Sequence, residues 1–208
     1  MTKGHGELAA DSPAFSANGR WVAFSAEGRG GRSQVERVAL SGGHRQVLVP
    51  ERGKVAAFSP AYSPNGRQFA WVQWRESRRA VPQIYVGQPN GHDGRRLATG
   101  LEPQFSPDGR SIVFRRDGRC RSGERGTEID ILALETGQLW HVKSSCGAQL
   151  DAPTYSPDGT WIAYTAYSAE KSELAFVPVP GVVPSFTPLA GLGADLPVDE
   201  APSWQPVP

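Results

Sequence analysis

Short apolar runs recur along the chain, separated by stretches rich in Gly, Pro, Asn and Asp: Trp21-Val-Ala-Phe24, Phe69-Ala-Trp-Val72, Ile112-Val-Phe114 and Trp161-Ile-Ala-Tyr164. They are apolar on both faces, as expected of strands covered from two sides rather than of amphipathic helices. Each is preceded by the same phrase. Pro13-Ala-Phe15-Ser-Ala-Asn18-Gly19 returns as Pro60-Ala-Tyr62-Ser-Pro-Asn65-Gly66, as Pro103-Gln-Phe105-Ser-Pro-Asp108-Gly109 and as Pro153-Thr-Tyr155-Ser-Pro-Asp158-Gly159. The pattern predicts a strand A starting near each Pro and a tight turn. Pro presets φ in that turn, Asn or Asp takes its third position, and Gly supplies positive φ at its fourth. The apolar run is then strand B. Strand C is predicted at 34–40, 83–87, 128–134 and 173–179, and strand D at 45–49, 95–98, 139–142 and 185–189. Gly-containing turns join C to D. No segment carries a helical period.

The turn glycines are 47, 43 and 50 residues apart, and a fifth phrase begins at Pro202-Ser-Trp204. Four antiparallel strands repeated at this spacing are the blade of a β-propeller. The fold class is therefore all-β: four complete blades at 11–50, 57–99, 101–145 and 151–192, and an extra strand at 200–206, within a single domain spanning 1–208. In these phrases the chain resembles the TolB-like, WD-type propeller-repeat family, whose motif reads Pro-x-aromatic-Ser-Pro-Asp-Gly. The departures are mild: Ala17 stands for the turn Pro, and Asn18 and Asn65 stand for Asp. The resemblance implies a binding platform, often six-bladed and exported, or the propeller attached to a prolyl-oligopeptidase-type hydrolase. A periplasmic or extracellular setting is expected on that ground, although residues 1–20 hold no apolar signal core.

Charge divides the chain. Residues 1–126 carry 20 of the 22 Lys and Arg and 11 of the 21 Asp and Glu; residues 127–208 carry a net −8. Arginine is the feature with functional content. Blade topology gathers the B–C loops on one face, so Arg75, Arg78 and Arg79 of blade 2 and Arg115, Arg116, Arg119 and Arg121 of blade 3 are the candidate surface for an acidic protein or polymer. Interspersed acids make solvated loops the competing reading. Nucleic acid is disfavoured, since no aromatic series interleaves the arginines for base stacking.

Catalytic chemistry finds little support. The sequence contains no Gly-x-Ser-x-Gly elbow and no phosphate-binding Gly-rich motif. His5, His44, His92 and His141 are spread over different elements, so neither a metal nor a cofactor is expected. Asn18, Asn65, Asp108 and Asp158 recur with the repeat and read as turn residues, and Gly28–Gly31 reads as a flexible loop. The expected function is non-catalytic binding of a protein or anionic polymer. The alternative is the substrate-gating or polysaccharide-active portion of a hydrolase or lyase. The longest apolar stretches fall far short of a membrane span.

Cys120 in the blade 3 B–C loop and Cys146 after that blade's strand D fall on the same face, which predicts a disulfide and an oxidising compartment. The fifth strand A at Trp204 lacks partners at the N-terminus, so the sequence also predicts missing N-terminal blades. A homodimer pairing basic with acidic halves, or a closed four-bladed ring, is the alternative.

Overall fold

In a computed structural model of the chain, residues 10–121, 123, 125–169 and 171–183 are described. Their regular structure is all β, in antiparallel sheets whose strands bond in chain order. The chain is organised as two compact units, Met1–Leu101 and Glu102–Pro208. The first holds β1 (Ala10–Phe15), β2 (Trp21–Glu27), β3 (Ser33–Ala39) and β4 (Gln46–Val49) in one sheet. Its second sheet is β5 (Val55–Tyr62), β6 (Phe69–Arg75), β7 (Gln83–Gly87) and β8 (Arg95–Thr99). The other unit holds β9 (Leu101–Phe105), β10 (Ser111–Arg119), β11 (Arg125–Ala133) and β12 (Leu139–Ser145), then a sheet of β13 (Gln149–Tyr155), β14 (Trp161–Tyr167) and β15 (Ser172–Pro178). The strand D expected at 185–189 and the terminal strand with Trp204 lie outside the described residues.

Each unit buries apolar side chains between its two sheets. In the first, Val35, Leu48, Val49, Phe69 and Trp71 form the core. Ring centroids step from Tyr62 to Phe69 at 4.7 Å, to Trp71 at 5.9 Å and to Tyr85 at 5.8 Å. In the other, Val113, Ile129, Ile131, Leu150, Ile162 and Tyr164 do the same. Phe69, Trp71, Val113, Ile162 and Tyr164 come from the apolar runs of the sequence pattern, and the other core residues from the strands beside them.

The first strand of each sheet starts upstream of the Pro where the sequence places it, at Ala10, Val55, Leu101 and Gln149. The residue before each Pro has positive φ: Ser12 (52°), Ser59 (49°), Glu102 (55°) and Ala152 (51°). Register breaks there, between Asp11 and Ala14, Phe58 and Ala61, and Asp151 and Thr154. Pro has no N–H to give the ladder, and a bulge absorbs the defect so that the strand runs through it.

The turn that follows is built around its serine. In all four copies the Ser hydroxyl donates to the Asn or Asp Oδ1, as in Ser63 to Asn65 at 2.8 Å, and accepts an N–H from the start of the next strand, as from Gln68 at 2.9 Å. The same Oδ1 takes the N–H two residues on, and Gly19, Gly66, Gly109 and Gly159 sit at φ 64–73°. Ser63 is fully buried, whereas Ser16 is only half-buried. Ser63→Ala strands two polar partners away from water and is expected to cost about 1–3 kcal/mol. Urea unfolding should show a smaller loss for Ser16→Ala.

Candidate functional site

The arginines assigned to B–C loops divide into two situations. Arg75 ends β6, and Arg78 and Arg79 follow it on the connection to β7; all three are exposed. The Glu76 N–H donates to the Lys54 carbonyl at 2.8 Å, which pins the base of this connection beside β5. Arg32 reaches across to Glu76, Nη2 to Oε2 at 2.8 Å. That hydrogen bond first, and the Arg32 charge second, hold the Glu76 carboxyl below the usual range. A cleft of about 430 Å³ opens here, lined by Arg32, Lys54, Phe58, Trp74 and Glu76.

The Gly28–Arg32 segment that forms one edge of this cleft is not the slack loop its composition suggests. Gly28 N–H donates to Arg32 O and Gly31 N–H to Gly28 O, closing a turn. The Glu51 carboxylate accepts from Gly30 N–H at 2.5 Å and Arg32 N–H at 3.2 Å. A Cβ at Gly28 or Gly30 would meet the end of the Glu51 side chain, which would have to give way.

In the other unit, Arg115, Arg116 and Arg119 lie in β10 rather than in a loop. The hairpin keeps register from Ser111↔Ala133 to Arg119↔Arg125. In the extended arms Arg116 lies opposite Glu128 and Asp117 opposite Thr127, cross-strand pairs of the kind that stabilise a hairpin. Arg121 sits beyond it and is exposed. Arg115 points to Asp151, Nη1 to Oδ1 at 2.5 Å, with Asp117 at 3.5 Å. Arg116 bonds Glu128 Oε2 at 2.5 Å and places Nε 3.0 Å from Asp130 Oδ2. Both guanidiniums are thus engaged within the chain.

Asp130 is fully buried and also accepts from His141 Nδ1 at 2.8 Å, which fixes the ring of that half-exposed histidine. Glu128, Asp130 and His141 offer donor atoms within 4.8 Å of one another. The sequence reading missed this convergence. Its signal was the alternation of Glu128 and Asp130 on one face of β11, with His141 opposite Asp130 on β12. The Arg116 guanidinium hydrogen-bonds Glu128 and ion-pairs with Asp130 without a hydrogen bond to its Oδ2, so one guanidinium charge faces two carboxylates.

Glu102 is the acidic member of the bulge series. Its Oε2 accepts the Ala152 N–H at 2.6 Å, which ties the bulge of β9 to that of β13. Desolvation pushes its pKa above 4.5 despite that bond and the Arg115 charge, and Asp151 and Asp117 add to the rise. Cys120 and Cys146 are joined in a disulfide, Cα to Cα 5.8 Å, clipping the tip of the hairpin to the segment after β12. A Cβ at Gly126 would stand 2.8 Å from Cys120 Sγ and from Ser145 O, so glycine is what admits the bridge. His44 and His92 lie in turns of the first unit, and His5 lies outside the described residues.

Two outcomes follow. Because the folded pKa of Glu102 is raised, the stability it contributes is present below pH 4.5 and lost as pH rises through its folded value. The difference in unfolding free energy between the parent and Glu102→Gln should therefore move against the parent between about pH 4 and pH 7. Reduction of Cys120–Cys146, which closes a 26-residue separation, should lower stability by roughly 3 kcal/mol in the chain-entropy description. Denaturant midpoints with and without reductant measure it.

A model of the TolB beta propeller domain matches residues 6–206. Among solved structures, the chain is similar to TolB from Acinetobacter baumannii, with a TM-score of 0.65 and 22% identity over 81% of this chain and 41% of that one. It is also similar to an oligogalacturonate lyase in complex with manganese, with a TM-score of 0.61 and 14% identity over 83% of this chain and 51% of that one. At these identities the likeness is one of fold. A curated relative, the uncharacterized peptidase YuxL of Bacillus subtilis (strain 168), is 22% identical over 170 residues, 81% of this chain and 23% of that protein. The chain thus spans about a quarter of that relative and under half of the Acinetobacter protein. The repeat of Pro-x-aromatic-Ser turns, the chain-ordered antiparallel sheets and the family match together establish that this chain belongs to the TolB beta propeller domain family.

Proposed function

We propose that the chain is a non-catalytic binding platform, and that its first unit takes an acidic segment of a protein partner. The observation that carries this reading is the exposed trio Arg75, Arg78 and Arg79 on one short connection, beside a cleft with Arg32 and Lys54 on its rim and Phe58 and Trp74 in its wall. Exposed guanidiniums pair with carboxylates in fork geometry, and the aromatic wall offers apolar area for neighbouring side chains. Arg115 and Arg116, spent on internal carboxylates, do not enter this surface. Arg119 and Arg121 remain in the proposal as secondary positions. The disulfide suits a partner met in an oxidising compartment.

A second reading, the propeller portion of a hydrolase or lyase, is favoured by the peptidase name of one relative and by the lyase among the similar structures. The two part in a direct assay. On the platform reading, the chain shows no peptidase or polysaccharide-lyase turnover above background. It binds a polyglutamate peptide with an affinity that falls steeply between about 50 and 300 mM salt. The Arg75→Ala, Arg78→Ala, Arg79→Ala triple variant should bind about tenfold or more weakly. Salt-insensitive binding, or a triple variant that binds as the parent does, contradicts it.

A further inference from the structure

The basic surface of the first unit carries one acid of its own. Glu76 stands between Arg75 and Arg78 on the connection to β7. Its backbone is fixed by the bond to Lys54, but its side chain, 58% exposed, reaches over to Arg32 at the cleft. Among the described residues, Arg32 is the one cation of this surface held in an ion pair; Lys54, Arg75, Arg78 and Arg79 are in none.

Two glutamates meet this edge of the cleft on different terms. Glu51 is half-buried and accepts from two backbone N–H groups, so it fixes the turn. Glu76 is held through one side-chain bond, from Arg32 Nη2 to its Oε2 at 2.8 Å, with water beside it. A pair this exposed adds little stability, because solvent screens it and two long side chains lose freedom to make it. Arg32 is placed without help from Glu76: its N–H is on Glu51, and Nη1 lies 3.5 Å from the Gly30 carbonyl. Its guanidinium, 32% exposed, stands at a cleft whose wall carries Phe58 and Trp74. That is a preformed seat for a carboxylate, and exchanging one carboxylate for another leaves Arg32 paired throughout. The Arg32 bond first, then its charge and last that of Lys54, keep Glu76 ionised below the usual carboxylate range. An incoming carboxylate meets the same field.

We infer that Arg32 is the seat for one carboxylate of the acidic partner, and that Glu76 is the chain's own occupant of that seat, displaced when the partner binds. On the platform reading, on which this rests, Arg32 joins Arg75, Arg78 and Arg79 as a direct contact, and Glu76 sets the affinity by competing. A ligand must then offer carboxylates in two places at once, one to Arg32 at the cleft and others to the exposed trio. An acidic run meets that demand. A lone carboxylate such as acetate does not, because it faces Glu76 at the high effective concentration of a tethered group.

The experiment is a double-mutant cycle on polyglutamate affinity at low salt, with the Glu76 carboxyl carbon followed by NMR. Glu76→Gln should bind polyglutamate roughly two- to fivefold more tightly than the parent, and Arg32→Ala more weakly. In the Arg32→Ala background the gain from Glu76→Gln should largely disappear, since no seat is left to vacate. Near neutral pH, the Glu76 carboxyl carbon of the parent should move during the titration toward its position in free Arg32→Ala protein. Equal gains in the two backgrounds mean that Glu76 acts only through net charge. That result, or a Glu76 resonance that stays put at saturation, overturns the inference. So does a Glu76 carboxyl that titrates alike in the parent and in Arg32→Ala, which shows no pair in solution. Where any of these comes with salt-sensitive binding that the Arg75, Arg78, Arg79 triple variant loses, the platform reading stands and the seat alone falls. If neither the parent nor Glu76→Gln binds polyglutamate, the platform reading fails and the seat falls with it.

Discussion

A sheet buried on both faces has no room for error where its strands turn, and in this chain one hydroxyl carries that burden in every repeat. The serine after each strand A aromatic bonds forward to the Asn or Asp side chain and accepts an N–H from the start of the next strand. It thereby sets where strand B begins, hence which side chains meet the facing sheet. Register has a period of two, so a one-residue error would exchange the faces of strand B and undo the pairing of cores. The left-handed residue before each Pro is the companion device. It uses a strained backbone to keep a strand continuous across a residue that cannot donate.

With the scaffold fixed in this way, chemistry lies where repeats depart from one another. Glu102 takes the positive-φ position held elsewhere by serine or alanine, and links β9 to β13 through a half-buried carboxylate. The β10–β11 hairpin outgrows its counterparts, places Arg116 against Glu128 and Asp130, and is clipped by the disulfide. None of these changes alters the blade; each alters what the blade presents.

The fold was legible because its determinants are local. Gly19, Gly66, Gly109 and Gly159 must take positive φ, and a strand C such as Gln83–Gly87 can be read to the residue. The strands A were read short because a Pro looks like a beginning, and a bulge that carries the chain through it leaves no residue-type signature. The candidate surface was read less well. Arg115 and Arg116 look like loop arginines until cross-strand partners are known; Asp151 is 36 residues away from Arg115, and Glu128 is 12 from Arg116. Arg75, Arg78 and Arg79 were legible because they sit together on one connection with few acids in reach. The anchoring of the glycine run by Glu51 was invisible, since nothing in the sequence links positions 19 to 21 residues apart.

The central claim is that the repeats supply an inert frame and that binding falls on their departures in the first unit. Hydrogen–deuterium exchange of the chain, alone and with saturating polyglutamate, addresses it directly. The account predicts slowed exchange confined to the Gly28–Arg32 turn and residues 75–80, with the four serine-centred turns equally slow in both states. Protection spread evenly over those four turns, or none at 75–80, would contradict it.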